Sequence, residues 1–560
     1  MKKFIKNILE SKSKQFIIIL STTILVILSC MTVYPFDIVK MKVLPPKDGQ
    51  TINIYIDLPA GSTLFQTQQS VAKIHKVLEK EQEIVDIETF YGMGAPTDLI
   101  GLVKSSPLRS GDNSAQIVVN LTKPHHRDKK SFLIAKRVRE NIAKECKNAS
   151  DVLVVEEPAG PPVIGGVVAE IYGENQQKRE DIAVKVASVF HKVGGLVDID
   201  IQKEESFKKF TLKINKDKAI KLGISIEQIN KIVFVAFEGI NIAVKNELER
   251  NDQVALHLVL DDNSKKLNTT DKKELESKLS QLKLMNSQGR MISLMELVTV
   301  LEKKSSIPIY SKNLQDYTMV SAETDLVSPI YPGLKARNMI KQDLGADFEI
   351  TNGNILKREK GKYFDLYLKD KKDGEIYQIV WEGELQVSLD TAVDLAITLG
   401  VSVVLIMTLL IFYYQSFALP LIVLMGSLLS LIGVMSGHII MNLFSEHTIY
   451  FTGTSLIGLI ALIGISARNT VLLIDNMKAL IKDGTKKSEA IAEATQIRAK
   501  PILLTAIGVM LGSSLLIPDS VFGGLGISLT FGTITATIAS LVLAPILLDY
   551  VKINKQEMME

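Results

Sequence analysis

The chain has 560 residues, 46% hydrophobic and 23% charged, with 65 Lys and Arg against 62 Asp and Glu for a formal net charge of +3. Such averages suit a soluble protein of about two to four domains, but VSVVLIMTLLIF (401–412) and LIGLIALIG (456–464) are uncharged while residues 37–389 hold most of the Lys, Asp and Glu. Apolar blocks joined to one long polar block exclude a plain soluble enzyme, a disordered chain and a fibrous protein, and the near-zero net charge gives no reason to expect a nucleic-acid partner.

A bilayer core about 30 Å thick needs roughly 20 apolar residues per helix. Six stretches qualify in chain order: about 15–35, 391–414, 418–443, 450–477, 502–518 and 522–550. The first, FIIILSTTILVILSCMTVY, is longer than a signal-peptide core and has no small-x-small cleavage site, so it is expected to stay as a membrane anchor. Lys2, Lys3, Lys6, Lys12 and Lys14 precede it; Lys478, Lys482, Lys486, Lys487, Arg498 and Lys500 lie between spans four and five; Lys552 and Lys555 lie in the tail. The opposite short loops carry Glu446, His447 and Asp519 but no Lys or Arg. That asymmetry places both termini in the cytoplasm and residues 37–389 outside the cytoplasmic membrane. KKSEAIAEATQIRA (486–499) reads as a short amphipathic helix on the inner surface.

The external block alternates strand and helix patterns. TINIYIDLP (51–59), the helix pattern 60–80, VDIETF (85–90), AQIVVNLT (115–122), the helix pattern 131–146 and DVLVVEEP (151–158) give βαββαβ, a ferredoxin-like unit. A second unit opens with VVAEIYG (167–173), helix 176–193 and LVDIDIQ (196–202), is interrupted over 210–309, and resumes with YTMVSAET (317–324). The charged stretch 351–375 reads as surface loop and hairpin. The expected fold is therefore α-helical in the membrane, with six spans, and α+β outside it. Expected boundaries are 1–36 for the N-terminal segment and first helix, 37–165 for the first external unit, 166–209 with 310–389 for the second, 210–309 for the insertion, 390–551 for helices two to six and 552–560 for a cytoplasmic tail.

Arg468 lies inside span four, where an unpaired cation is costly and usually functional; snorkelling to the cytoplasmic end is the alternative. Arg498 and Thr505 are seven apart and share a face of span five. On residue type alone Arg498 is an interfacial anchor, Thr505 a back-bonded hydroxyl and Lys500 a plain anchor. Pro501 is expected near the start of that helix, where its missing N–H is tolerated. No span has a mid-membrane carboxylate: Asp394, Asp475 and Asp549 lie towards span ends. Arginine cannot shuttle protons, and the lone His438 reads as packing or an interface contact. Gly433 with Gly437 and Gly508 with Gly512 form GxxxG pairs, while Gly523, Gly524 and Gly526 read as the turn into span six. Cys30 and Cys146 stand far apart in apolar and polar surroundings, which argues against a disulfide, and no CxxC or Cys/His cluster marks a metal site. There is no P-loop, GxSxG or HExxH, so neither a cofactor nor direct use of ATP is expected, and the chain reads as a transporter, not an enzyme.

One long external block after the first span, then five closely spaced spans, resembles the C-terminal half of a resistance-nodulation-division (RND) efflux permease of the acriflavin-resistance type. VLPPKDGQ (43–50), IYIDLPAGSTLFQT (54–67), KINKDKAIKLGISIEQIN (213–230), YYQSFALPLIVL (413–424), GISARNTVLLID (464–475) and RAKPILLTAIGVMLG (498–512) carry the resemblance. It implies porter subdomains with an inserted docking subdomain, and proton-driven export of small amphiphilic substrates from the periplasm or inner membrane. In that family two aspartates on a helix of the N-terminal half titrate, and a cation of the C-terminal half responds. By resemblance Arg468 stands where the family usually has a lysine, Asn469 is beside it, and Arg498 and Thr505 match further relay positions. The resemblance also implies a partner N-terminal half, a trimer, a periplasmic adaptor and an outer-membrane channel. In FYGMGAPTDLIGLVKSSPLRSG (90–111), Phe90, Tyr91 and Met93 are the candidate substrate contacts. The methionines Met93, Met285, Met291, Met295 and Met319 are too scattered to suggest a soft-metal site, and His125-His126 reads as a solvated loop pair. Two alternatives stay open: a SecD-like protein-export subunit, and a membrane scaffold or truncated remnant that does not transport.

Overall fold

The computed structural model describes residues 1–146, 152–157, 160–203, 206–247, 253–267, 271–352, 364–445 and 447–551. Expectations for Glu446, for Lys552 and Lys555, and for the tail 552–560 lie outside these residues. The chain divides into two units, one of Met1–Leu58, Ser62–Lys203 and Tyr310–Glu560, the other of Pro59–Gly61 and Glu204–Ile309.

Among the described residues, five helices of the first unit are long and apolar enough to cross a bilayer: Lys12–Met31, Glu384–Tyr414, Ala418–Phe444, Gly453–Lys482 and Gly523–Tyr550. The stretch 502–518, expected as a span of its own, instead ends a continuous helix Lys487–Ser514. Two expectations are corrected here. Residues 486–499 are not a separate surface helix: Ala490, Ile491 and Ala494 pack with Ile5 and Leu9 of an N-terminal helix, Lys2–Leu9. Lys2 pairs with Glu493 at 3.0 Å, and Lys487 Nζ donates to the Asp549 and Val551 carbonyls at 2.8 and 2.6 Å. Apolar burial inside the chain takes the place of lipid. Pro501, likewise, sits in the helix interior, not at its start. Its missing N–H leaves the helix without the bond to the Ile497 carbonyl.

Glycines set how the helices pack. A Cβ on Gly437 would lie 2.7 Å from Phe531, and one on Gly458 2.7 Å from Ser528 Cβ. Gly433 faces Phe531 O and Thr535, Gly532 faces Leu462, and Gly524 faces the Thr452 and Ser455 hydroxyls. Gly523, Gly524 and Gly526 thus belong to the first turn of helix Gly523–Ile538, not to a preceding turn. His438 is buried; its ring nitrogens meet the Val434 carbonyl and Ser455 Oγ at 2.9 and 3.1 Å.

The same unit holds two antiparallel sheets. In the first, the spatial order is Ile84–Met93, Ser110–Leu121, Thr51–Asp57, Val152–Glu156, with helices Leu64–Leu78 and Ser131–Glu145 on one face. Alternation puts Ile52, Ile54 and Ile56 against Val71, Ile74 and Val138. In the second, Leu196–Ile201 pairs with Gln315–Thr324, which pairs with Val167–Tyr172; Ile376–Glu382, Leu366–Asp370 and Phe348–Asn352 follow. Helices Gln176–Lys192 and Ile330–Leu344 cover it, with Phe190 and Trp381 stacked in the core. Of the stretch expected as loop and hairpin, residues 353–363 lie outside the described ones; Asn352 and Leu366, on either side, are paired.

The second unit pairs Lys208–Ile214 with Val298–Lys304 over a core of Ala219, Ile229, Leu279, Leu294 and Val300. A separate hairpin, Ile240–Lys245 with Val254–Leu258, leaves Ile242, Val244, Leu256 and Leu258 exposed.

The glycine contacts separate two kinds of position. Gly437→Val should destabilise the chain by about 1–3 kcal/mol through overpacking against Phe531. Gly508→Ala, where nothing lies within 4 Å, should raise stability by up to about 1 kcal/mol through helix propensity. Thermal unfolding of the full chain in detergent checks both signs.

Candidate functional site

Arg468 lies on helix Gly453–Lys482, which starts at a capping box between Thr452 and Ser455. Ile457, Ala461, Gly464, Arg468 and Leu472 are exposed at helical spacing, opposite the buried Gly458, Leu462, Ser466, Asn469 and Leu473. Arg468 makes no hydrogen bond or ion pair among the described residues, and nothing lies within 4 Å of a Cβ on Gly464. Asn469 is turned into the bundle at 3% exposure. Neighbouring helical residues are 100° apart, so Arg468 and Asn469 serve different faces.

The neighbouring helix also leaves a face uncovered. Leu504, Ile507 and Leu511 are exposed on Lys487–Ser514, and Gly508 and Gly512 have open space around them. Thr505 is on that side and donates to the Ile502 carbonyl at 3.0 Å, as expected for a back-bonded hydroxyl. Arg498 is half-exposed, with its Nε buried and unpartnered. No hydrogen bond or ion pair joins any two of Arg468, Asn469, Arg498 and Thr505 among the described residues. At the other end, Asp475 accepts hydrogen bonds from Tyr414 at 3.0 Å and Tyr413 at 3.4 Å, with Lys478 over the Tyr414 ring. Asp475 is thus bound to the tyrosines, about two helix turns from Arg468.

The second candidate region is the segment after strand Ile84–Met93. Phe90 pairs with Gln116 and shares its face, while Tyr91 points to the other; Tyr91 and Met93 are exposed and Phe90 half-buried. The structure does not gather the three into one pocket. Residues 94–109 instead fold back over the sheet. Gln116 Oε1 accepts from the Ala95 N–H at 2.9 Å, Asn53 Nδ2 donates to Asp98 Oδ2 at 2.8 Å, and Tyr55 OH meets Ser106 Oγ at 3.0 Å. Asp98 also caps the short helix Leu99–Val103. Burial pushes the Tyr55 phenol above its ordinary range, with Asp98 adding to the effect. Arg109 closes the fold-back by pairing with Asp57 and lying over the Tyr55 ring, 5.2 Å from its centre. Gly94 and Gly101 allow the approach: a Cβ on either would run into Ser106.

Sequence reading missed these pins. The signal was there: Asn53, Tyr55 and Gln116 are polar residues alternating with Ile and Val in strands whose other face is the core.

Comparison with known proteins bears on the whole arrangement. The sequence model of the AcrB/AcrD/AcrF family matches residues 2–346 and 370–553. The chain belongs to the AcrB/AcrD/AcrF family. It is 23% identical over 527 residues to the nickel-cobalt-cadmium resistance protein NccA of Alcaligenes xylosoxydans xylosoxydans, covering 92% of this chain and 44% of that protein. It is 20% identical over 518 residues to the multidrug resistance protein MdtC of Erwinia tasmaniensis, covering 90% of this chain and 46% of that one. A crystal structure of a heavy metal efflux pump shares the fold, with a TM-score of 0.68 and 17% identity over 98% of this chain and 51% of that one. The chain spans about half the length of the relatives it matches. Membership of this family sets aside the SecD-like reading.

The pinned segment gives a direct test. Gln116→Leu removes the acceptor of the buried Ala95 N–H, a loss of about 1–3 kcal/mol. Amide hydrogen exchange over residues 95–109 should speed up by roughly fivefold to a hundredfold while the strands stay protected.

Proposed function

We propose that this chain forms the C-terminal half of a proton-driven RND efflux permease in the bacterial inner membrane, with both termini cytoplasmic and its sheets periplasmic. The observation that carries this reading is the exposed, unpaired Arg468 on an otherwise apolar helix face. A fixed guanidinium cannot itself cycle a proton. It can respond to carboxylates that do, and these would come from the N-terminal half, whose helices would cover Gly464, Gly508 and Gly512. Arg498 and Thr505 border the same uncovered side and are proposed as relay positions; Asn469 would act from inside the bundle. In this reading helix Lys487–Ser514 crosses the membrane with its apolar portion, completing six spans.

The two sheet-and-helix layers are proposed as ferredoxin-like porter subdomains over 37–165 and over 166–209 with 310–389, and the unit over 210–309 as the docking subdomain. A two-stranded hairpin is marginal in isolation. The exposed Ile242, Val244, Leu256 and Leu258 therefore favour an oligomer, proposed as a trimer working with a periplasmic adaptor and an outer-membrane channel. Relatives carry names of both metal and multidrug resistance. Exposed Tyr91 and Met93, with Phe90 at the edge of the pinned segment, favour small amphiphilic substrates.

Arg468→Ala, expressed with the N-terminal half, should lower export to the level of cells lacking the chain, and Arg468→Lys should restore part of it. Lys500→Gln should leave export unchanged. Normal export by an Arg468→Ala chain that assembles normally would overturn the relay reading and favour a scaffold.

A further inference from the structure

The junction between the two sheets holds a charge cluster that the proposed transport site does not use. A cavity of about 130 Å³ lies there, room for about four waters at about 30 Å³ each. Lys42, Lys104, Arg139, Glu156, Glu323 and Glu384 line it. Lys104 pairs with Glu323 at 2.9 Å, and Arg139 with Asp198 at 2.9 Å. Glu323 also accepts from the Gly166 N–H at 3.2 Å, and Asp198 from the Val154 N–H at 3.2 Å. Lys47 and Glu157 neutralise each other at the rim.

What remains is Lys42 with Glu156 and Glu384. Lys42 is 6% exposed, and its ammonium makes no hydrogen bond or ion pair among the described residues. Its charge acts on both carboxyl groups. Glu384 Oε1 is buried without a partner. The cluster therefore has four carboxyl groups, Glu156, Asp198, Glu323 and Glu384, and three cations, Lys42, Lys104 and Arg139. One uncompensated negative charge in such a site is costly. A proton removes that cost where a carboxyl group has no dedicated ion-pair partner.

We propose that Glu156 is a proton-binding site outside the membrane, taking up one proton to neutralise the excess charge of this junction. It stands on strand Val152–Glu156 and is faced by Arg139 from helix Ser131–Glu145, Lys42 from the segment before the first sheet, and Glu323 and Asp198 from the second sheet. Lys104 and Glu384 line the same cavity. Burial pushes the Glu156 carboxyl up to about 7, against the pull of Arg139 and Lys42, with Glu323 and Asp198 adding to the rise. The folded chain then holds more protons than the unfolded one between the ordinary 4.5 and about 7, so its stability falls as pH rises through that window. Once ionised, Glu156 repels Glu323, the residue that holds Lys104 within the pinned segment and Gly166 beside the head of helix Glu384–Tyr414.

Infrared titration of the full chain in detergent tests this through the protonated-carboxyl band. The wild type minus Glu156→Gln difference should show one band lost on alkalinisation, with a midpoint near neutral. Lys42→Gln should move the midpoint up, and Glu323→Gln should move it down. A difference spectrum without a neutral-range band, or a midpoint that neither substitution moves, would overturn the proposal. So would a midpoint that follows sodium concentration at fixed ionic strength, which would make the ligand a metal cation.

Discussion

Helix Gly523–Ile538 can lie close to two neighbours only because Cβ atoms are absent where they would collide. Gly433 and Gly437 admit Phe531; Gly458 admits Ser528; Gly532 admits Leu462; Gly524 admits the hydroxyls that cap helix Gly453–Lys482. In a hydrocarbon solvent, close packing of this kind is a main source of helix association. It fixes which way helix Gly453–Lys482 is turned. Its glycine and hydroxyl face is committed to the bundle, so Arg468 is held on the opposite face.

That division gives the two GxxxG pairs different meanings. Gly433 and Gly437 are used inside the chain, whereas Gly508 and Gly512 have open space around them. An apolar helix face bearing an arginine that cannot discharge, as on helix Gly453–Lys482, is poorly suited to lipid. In the proposed reading it faces a second set of helices carrying carboxylates. Outside the bundle, charge does similar work by other means. Arg139 bridges the two sheets through Asp198, and Lys104 ties the pinned segment to Glu323. The same ion pairs leave Glu156 and Glu384 to share Lys42.

The sequence carried much of this in plain view. Strand alternation in TINIYID and helical spacing through residues 64–78 made the first sheet legible, because one face of each element is core. Arg468 was conspicuous because an arginine among apolar residues is rare. The continuous helix Lys487–Ser514 was not legible: a proline and three cations read as a boundary, and the burial that carries the helix through comes from residues of other helices, Ile5 and Leu9 together with Leu473, Met477, Ala544 and Leu548. The polar alternation of Asn53 and Gln116 was visible, but what they and Asp98 bind was not. Their partners lie 21 to 45 residues away, across a fold-back with no periodicity of its own.

Taken alone, the sequence determined the apolar helices, the two sheet patterns and the inserted segment, because these rest on composition and short-range period, while the family rested on the resemblance of particular motifs such as GISARNTVLLID and RAKPILLTAIGVMLG. Tertiary structure decided which face of each helix is free, which glycines are in contact, where residues 94–109 are held and which charged side chains meet at the junction of the two sheets. Those outcomes depend on distances between residues far apart in the chain, and local pattern carries no record of them.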